Sequence, residues 1–359
     1  MIFEHLDKYG HEELLFYADP SCNLKAIVAI HDTTLGPALG GTRFWTYEKE
    51  EDAITDALRL ARGMTYKASL AGLHLGGGKA VILNGPNVKK SEQFFRSYGR
   101  FIHSLGGRYI TAEDVNTCVQ DIDYIACETK YVAGRPTELG GAGNPAPYTA
   151  LGVFRGIEAS CMKVYGSRSV AGKTVALQGT GQVGTFLAEL LERGGAQLIF
   201  TEINDEHAQR FKEKFPRAQF VSPDKILGVQ CDIFAPCALG AILDEKSIPQ
   251  IKARIIAGAA NNQLKEQQHG DLLTKRGILY APDYLINAGG LISVSLEATG
   301  WSDELTRKKV EMIYTQSLNI FDLAQKREIS TAKAADILAE ERIRGMREAR
   351  TVSLKRWWS

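Results

Sequence analysis

Two lysines have the residue type and the spacing from which a chemical site could be built. Lys79 directly follows three glycines in Leu75-Gly-Gly-Gly-Lys-Ala-Val81, and Lys67 precedes it by twelve positions. Glycine lacks a Cβ atom and permits close approach of a substrate, and a lysine near a second cation loses its proton more readily. The pair predicts a reactive site, with a glycine-rich turn carrying a solvated lysine as the alternative.

A phosphate-binding loop does not fit this segment. The P-loop pattern requires a further glycine upstream of its lysine and a Ser or Thr directly after it. Those positions hold Leu73 and Ala80. The glycine run therefore does not predict phosphate binding.

Composition limits the classes of protein to which the chain can belong. With 359 residues, 44% of them hydrophobic, the chain predicts two domains with real cores. Forty-three basic against 42 acidic residues leave a net charge of +1, so no global field favours nucleic acid or an anionic membrane. The six cysteines form no C-x-x-C pair and are predicted as reduced thiols, although a redox pair of Cys231 and Cys237 stays conceivable. Without a signal peptide or a bilayer-length apolar stretch, we expect a cytoplasmic protein.

The elements that must position the lysines follow from the spacing of apolar residues. The pattern from Glu50 to Met64 is helical and delivers Lys67 just beyond the end of the helix. A second helix is predicted from Phe94 to Leu105, and Leu24–Ile30 reads as a strand covered on both faces. The segment 108–114 reads as a strand that runs into a polar loop, which places Asp114 at the strand end.

A glycine- and proline-rich stretch, residues 134–147, predicts neither helix nor strand and marks a domain boundary. We assign residues 1–135 to a substrate-binding and catalytic domain and 136–334 to a dinucleotide-binding domain. The chain after Trp301 reads as helical, and the helix at about 335–359 is a candidate to pack back on the first domain. The closing Arg356-Trp-Trp-Ser359 leaves open a subunit contact or a disordered tail.

A glycine motif in the second domain predicts a dinucleotide site. Gly179, Gly181 and Gly184 follow an apolar strand and open a helix, the context in which backbone N–H groups and the helix N-terminus bind a pyrophosphate. Strands and helices alternate from there on, so an α/β fold with a parallel doubly wound sheet is predicted. The candidate cofactor residues of this loop are Gly179, Thr180, Gly181, Gln182, Val183 and Gly184.

Three further residues are candidates for the cofactor. Glu202 ends the next strand, where a carboxylate accepts hydrogen bonds from ribose hydroxyls and repels a 2′-phosphate, which favours NAD over NADP. A solvated carboxylate is the alternative there. Asn261 and Asn287 lie in later loops over the expected cofactor crevice, where they bind ribose and carboxamide or serve as turn residues.

Several segments together resemble the Glu/Leu/Phe/Val amino-acid dehydrogenase family, most of all its leucine branch. The resemblance covers nearly the whole chain in order, and the segments that carry it are 31–43, 63–67, 76–79, 111–114, 259–264 and 281–290. It implies a substrate domain, a Rossmann domain and a C-terminal helical segment. It also implies a homo-oligomer, with an octamer among the forms this allows.

The resemblance implies separate duties for the charged residues. Lys67 binds the α-carboxylate of an L-amino acid, Lys79 is the catalytic lysine, and Asp114 exchanges protons with the amino group. Hydride passes from Cα to the nicotinamide, and water then attacks the iminium to give a 2-oxo acid and ammonia. Lys79 can activate that water only as a neutral amine, and the expected neighbour Lys67 would favour that form.

The remaining site residues follow from the same resemblance. Gly40, Gly41 and Gly77 lie beside the substrate, and Thr149 joins Asn261 and Asn287 at the nicotinamide half of the cofactor. The side-chain pocket is apolar and argues against glutamate as substrate. Its expected lining is Leu39, Ala112, Leu291 and Val294.

The pocket residues point to two branches of the family. Ala112 and the segment 237–241 resemble the leucine branch, whereas Leu291 and the third glycine, Gly78, resemble the phenylalanine and tryptophan branches. A branched-chain substrate is therefore expected, with an aromatic L-amino acid as the alternative.

Two alternatives concern the class of protein. A malic-enzyme-like decarboxylase would need a divalent-metal cluster, and the seven histidines are scattered, so no metal is expected. A catalytically silent NAD-binding regulator would need neither Lys79 nor Asp114.

Overall fold

The structure is a computed structural model of the chain and describes residues 2–297 and 302–350. The described chain forms two compact units. The first unit comprises 2–144, 294–297 and 339–350, and the second comprises 145–293 and 302–338. The division after Asn144 lies later than the boundary at 135–136 that the sequence indicates. The closing Arg356-Trp-Trp-Ser359 lies outside the described residues.

The first unit is built on a mixed sheet in the order β1-β2-β4-β3-β5. β1 and β2 are antiparallel, as are β2 and β4, whereas β3 runs parallel to β4 and β5. The strands are β1 Glu13–Asp19, β2 Leu24–Asp32, β3 Ala38–Trp45, β4 Gly76–Leu83 and β5 Tyr109–Glu113. The helices are α1 Ile2–Tyr9, α2 Glu50–Leu70, α3 Glu92–Ser104 and α4 Val119–Ala126.

Apolar clusters cover both faces of this sheet. One contains aromatic residues of α3, such as Phe94 and Tyr98, and the other contains small residues of α2, such as Ala57 and Ala61. Every residue of β2 except Lys25 is buried, which confirms the strand expected there. The sheet is the rigid support from which the site is built.

The glycine run is a central strand, so the expectation of a turn with a solvated lysine is wrong. Gly76–Leu83 is β4, and every residue before Leu83 is buried. A Cβ on Gly77 would lie 2.1 Å from the Thr65 nitrogen of α2, and one on Gly78 would lie 2.7 Å from the Tyr109 ring of β5. The glycines are there because neighbouring elements pack against the strand without space for side chains.

The helix that carries Lys67 is longer than its apolar pattern indicates. α2 runs from Glu50 to Leu70, so Lys67 lies in its last turn and not beyond its end. The apolar stripe alone missed this turn because Thr65 and Ser69, both polar, are buried in it. The Arg342 guanidinium donates to the carbonyls of Ser69 and Leu73, at 2.7 and 2.8 Å, and so caps the helix end.

The second unit contains a parallel six-stranded sheet in the order β11-β10-β9-β6-β7-β8, which confirms the doubly wound fold. Its strands are β6 Thr174–Gln178, β7 Gln197–Thr201, β8 Gln219–Phe220, β9 Ile233–Pro236, β10 Ile255–Ile256 and β11 Leu279–Tyr280. The helices that follow α4 in the chain are α5 Ala146–Tyr165, α6 Gln182–Arg193, α7 Asp205–Lys214, α8 Gln268–Lys275, α9 Asp283–Ile286, α10 Gly289–Ser295, α11 Asp303–Glu311, α12 Ile313–Arg327 and α13 Thr331–Arg350.

The glycine- and proline-rich stretch contains more regular structure than expected. A single 3-10 turn occupies Thr137–Leu139, and α5 already begins at Ala146. Pro147 is tolerated in that first helical turn because its missing N–H would have no intrahelical partner there. No helix among residues 2–297 and 302–350 has the length and apolarity that a bilayer crossing requires.

Candidate active site

Lys79 and Asp114 form a buried ion pair at the centre of the first unit. Lys79 lies on β4 and is 7% exposed, and Asp114 follows the last residue of β5. The Lys79 Nζ donates to Asp114 Oδ2. β3 lies between these two strands, so the lysine side chain must extend across it.

Two glycines of β3 provide the space for this contact. A Cβ on Gly40 would lie 1.8 Å from the Gly78 carbonyl oxygen, and one on Gly41 would lie 2.7 Å from the Asp114 Cβ. Any side chain at either position would collide with the strand that carries Lys79 or with the carboxylate itself. Packing alone therefore explains why Gly40 and Gly41 are glycines, apart from their predicted position beside the substrate.

The environment of Asp114 favours its ionised form. Burial by itself raises the pKa of Asp114, but the Lys79 ammonium and Arg43 outweigh it and hold that pKa below its usual value. The Val115 N–H donates to Asp114 Oδ1 at 2.7 Å and fixes the carboxylate further. Asp114 is therefore a proton acceptor in the neutral range.

Sequence reasoning did not single out Arg43, although it ends the Gly40-Gly41-Thr42-Arg43 segment. Its Nε lies 4.0 Å from Asp114 Oδ2, and its Nη1 donates to Asp56 Oδ2 at 2.7 Å. An arginine beside a glycine pair was the available signal. Without the strand register, nothing connected it to Asp114.

Lys67 and Gly77 lie where α2 packs on β4. The Gly77 position abuts Thr65 of α2, two residues before Lys67. Lys67 is half-buried in the last turn of that helix. The two lysines therefore stand on adjoining elements, and the duty of Lys67 toward a carboxylate stays a prediction.

The expected pocket residues are distributed over three elements. Leu39 on β3 and Ala112 on β5 are buried on adjoining strands, where Gly41 pairs with Ala112. Leu291 and Val294 both lie on α10. Their role as a side-chain pocket stays a prediction.

The glycine loop of the second unit fits a dinucleotide. Gly179 has φ +94°, which favours glycine, and a Cβ on Gly184 would lie 2.3 Å from the Gly179 carbonyl oxygen. Gly181, the N-cap of α6, is exposed, and a Cβ there would meet no atom within 4 Å. Packing therefore does not require a glycine at 181, and the open space beside it at the helix N-terminus is compatible with the predicted pyrophosphate, whose binding there stays a prediction.

Glu202 is held by this loop. Its Oε2 accepts from the N–H and the hydroxyl of Thr180, at 2.8 and 3.0 Å, and its Oε1 accepts from the N–H groups of Ile203 and Asn204. Burial raises the pKa of Glu202, but these donors outweigh it and lower that pKa below the usual value. The carboxylate is ionised beside the loop, where its charge repels an additional phosphate.

Asn287 has an acceptor without a partner. Its Nδ2 donates to Asn261 Oδ1 at 3.0 Å and to the Ala259 carbonyl at 3.2 Å, whereas its buried Oδ1 has no hydrogen-bond partner in the part of the chain that the structure describes. An orphaned amide oxygen suits the carboxamide N–H₂ of a nicotinamide. Thr149, in the first turns of α5, places its hydroxyl against Gly290, where a Cβ would approach it to 2.6 Å.

Within the described chain, no group of three His, Cys, Asp or Glu side chains could hold a metal ion. The six cysteines are free thiols, so Cys231 and Cys237 form no disulfide.

Comparison with known proteins gives matches over most of the chain. A family model described as Glu/Leu/Phe/Val dehydrogenase, dimerisation domain, matches residues 14–131. A second, described as Glutamate/Leucine/Phenylalanine/Valine dehydrogenase, matches residues 197–351.

Full-length relatives and a solved structure agree with these matches. Leucine dehydrogenase of Geobacillus stearothermophilus is 54% identical over 99% of this chain and 96% of its own length. Phenylalanine dehydrogenase of Thermoactinomyces intermedius is 43% identical over 99% of this chain and 97% of its own. The crystal structure of L-tryptophan dehydrogenase from Nostoc punctiforme superposes with a TM-score of 0.85 at 47% identity, covering 97% of this chain and 100% of the other.

Proposed function

The chain belongs to the glutamate/leucine/phenylalanine/valine dehydrogenase family and is an amino-acid dehydrogenase, and from this premise we propose that it oxidises an apolar, branched-chain L-amino acid with NAD. The products are the 2-oxo acid, ammonia and NADH, and the reaction is reversible. The observation that carries the proposal is the buried Lys79–Asp114 pair in a chain that also has an open glycine cradle.

The chain's own residues supply binding and proton transfer. Lys67 holds the substrate α-carboxylate, and Asp114 accepts a proton from the substrate amino group. A nicotinamide, when bound, accepts the hydride from Cα. Lys79, as a neutral amine, then takes a proton from the water that attacks the iminium carbon, and ammonia leaves.

The Lys79–Asp114 contact provides a route for these protons. The two groups share a hydrogen bond, so Asp114 can return the proton it took from the amino group to the leaving amine and then receive the proton that Lys79 takes from water. Burial of Lys79 keeps competing water away from the pair. The pair therefore acts as one proton-exchanging unit.

NAD is the proposed cofactor because Glu202 is ionised beside the glycine loop. A 2′-phosphate placed near that carboxylate would meet a second negative charge. The family membership itself requires only a nicotinamide cofactor.

Leucine or another branched-chain amino acid is the proposed substrate, although two residues resemble the aromatic branches. Gly78 is one of them, but its Cβ would collide with the Tyr109 ring, so packing of β5 explains this glycine without reference to substrate. Leu291 is the other, and it still favours an aromatic substrate. An aromatic L-amino acid is the second candidate, supported by Leu291 and by the tryptophan and phenylalanine dehydrogenase relatives.

We also propose a homo-oligomer, with an octamer as the first form to test, and a cytoplasmic location consistent with six free thiols. The dimerisation domain named in the family match supports the first of these.

The decisive experiment is the initial rate of NADH formation with a panel of L-amino acids, with NADP as the control cofactor. The highest kcat/KM is expected for leucine, isoleucine or valine, with little activity on glutamate. A higher value for phenylalanine or tryptophan would establish the aromatic alternative. No activity with any apolar L-amino acid would refute the proposed function.

A further inference from the structure

Arg43 has two edges in different environments. Its Nη1 donates to Asp56 Oδ2, and the Tyr47 hydroxyl donates to the same oxygen, both at 2.7 Å. Its Nε, in contrast, is buried, has no hydrogen-bond partner among the described residues and lies 4.0 Å from Asp114 Oδ2. One edge of the guanidinium is anchored, and the other faces the carboxylate of the candidate active site.

The strand register makes this approach a property of the fold. β3 and β5 are parallel, with Thr42 paired to Glu113. The next residue along each chain segment, Arg43 within β3 and Asp114 just after β5, therefore lies level with the other. Gly41 keeps the intervening space open, because a Cβ there would meet the Asp114 Cβ at 2.7 Å.

A second cation near Asp114 matters because Lys79 cannot serve as a constant one. In the proposed reaction Lys79 must be a neutral amine before it can take a proton from water, and in that state Asp114 lacks its closest positive partner. A largely buried carboxylate without a cation tends to take up a proton. Arginine does not deprotonate in proteins, so the Arg43 charge is present throughout.

We propose that Arg43 is a positioning residue for the oxidation: when Lys79 is in its neutral form, the permanent charge of Arg43 holds the Asp114 carboxylate in place and ionised, ready to accept the proton of the substrate amino group. The proposal rests on the proposed function, since it assumes that Lys79 and Asp114 exchange protons. Asp56 and Tyr47 act through Arg43 by fixing its other edge.

Two further titratable groups that interact with Asp114, Glu113 and Tyr109, lie on β5. Burial first, and then the charges of Asp121 and Asp114, raise the pKa of Glu113. Burial, with a smaller effect from Asp114, raises the pKa of Tyr109 well above its usual value, and its hydroxyl donates to the Gly40 carbonyl. Neither supplies positive charge, so Lys79 and Arg43 are the cations that lower the pKa of Asp114.

The test compares Arg43→Gln with Asp56→Asn. Both break the same hydrogen bond, but the first removes a cation near the Lys79–Asp114 pair and the second removes an anion. The measurement is the pH dependence of kcat/KM for the preferred amino acid, with thermal denaturation as a check on folding. Ionisation of the substrate is common to all variants and cancels in the comparison.

We expect opposite displacements of the limb on which the rate rises with pH. Arg43→Gln should move it to higher pH by about one unit, because loss of a cation favours the protonated pair. Asp56→Asn should move it to lower pH by a smaller amount. Arg43→Lys, which keeps the charge, should return it to within about 0.3 unit of the wild type.

If Arg43 served only to hold Asp56 in place, the result would be different. Arg43→Gln and Asp56→Asn would then lose thermal stability alike and leave the limb in place, which would overturn the proposal. If Arg43→Gln does not fold, an unmoved limb in Asp56→Asn, or a limb in Arg43→Lys raised by a full unit, is enough to overturn it. An inactive wild type refutes the proposed function, and Arg43 with it, whereas an active wild type with fixed limbs refutes Arg43 alone.

Discussion

The candidate site of the first unit and the candidate cofactor loop of the second are built from different kinds of chemical group. The first uses charged side chains that three strands bring together: Lys79 from β4, Asp114 after β5 and Arg43 from β3. The second uses mainly backbone, a glycine at φ +94° and a helix N-terminus, together with the side-chain amide oxygen of Asn287. The ionisation of charged side chains depends on the residues that surround them. The conformation of a glycine loop, in contrast, depends mostly on the residues of the loop itself. The two regions should therefore respond differently to substitution, to pH and to loss of a neighbour.

The largest effect is expected from removing the lysine of the first region. Lys79→Ala should lower kcat by about a thousandfold or more, because a general base is lost, while NADH still binds to the intact second unit. Steady-state kinetics and NADH fluorescence titration measure the two quantities. Lys25→Ala, at an exposed lysine on β2, is the matched control and should retain wild-type turnover. Full turnover by Lys79→Ala would remove the charged site from the mechanism.

A pair of glycine substitutions separates packing from binding in the second region. Gly184→Ala should cost about 1–3 kcal/mol of stability, because its Cβ would meet the Gly179 carbonyl oxygen at 2.3 Å. Gly181→Ala should leave the melting temperature unchanged and weaken NADH binding about tenfold, because its Cβ enters the open cradle. Differential scanning fluorimetry and NADH titration test both. Wild-type affinity in Gly181→Ala would place the pyrophosphate elsewhere.

The stability of the first unit should be the more sensitive to acid, because this unit contains a buried neutral histidine. Burial, with smaller contributions from His11 and Arg62, lowers the pKa of His31 to about 4 from its usual 6.5. Between these two pKa values the unfolded chain binds a proton on this histidine, whereas the folded chain does not. The associated stability is complete above about pH 6.5 and falls by up to about 3 kcal/mol as pH drops toward 4.

Chemical denaturation at several pH values checks this loss. His31→Gln should flatten the decline between pH 6.5 and 4, since glutamine does not titrate. His207→Gln changes an exposed histidine of the second unit and should preserve the wild-type slope. An unaltered slope in His31→Gln would show that the acid sensitivity arises from another group.

The smallest effect is expected at the amide pair of the second region. Asn287→Ala should raise the KM for NAD about tenfold, roughly 1.4 kcal/mol, because the free Oδ1 is lost as an acceptor. Asn261→Ala removes the hydrogen bond that orients Asn287 and should have a weaker effect. The limb of the pH profile should not move in either variant. Equal KM values for both variants and the wild type would show that the nicotinamide does not contact the Asn287 Oδ1.

The same contrast explains which features the sequence made predictable. The glycine motif, the helix that follows it and Glu202 are separated by short stretches of chain, so their spacing alone indicates the βαβ arrangement. The sequence left a turn open as an alternative at β4, because a run of three glycines resembles a turn when its neighbours are unknown. The strand exists because α2, β3 and β5 pack where side chains would have been.

By itself, the sequence determined the α/β fold, the dinucleotide loop, the family and the residue types of the site, because each depends on local periodicity or on short motifs. Only the tertiary structure decided that the glycine run is a buried strand, that Lys79 pairs with Asp114 across Gly40 and Gly41, and that Arg43 faces the same carboxylate. These contacts join strands that are distant along the chain, and their distances follow from sheet order and register. Electrostatic interactions depend on such distances, which the spacing of residues in a sequence does not contain.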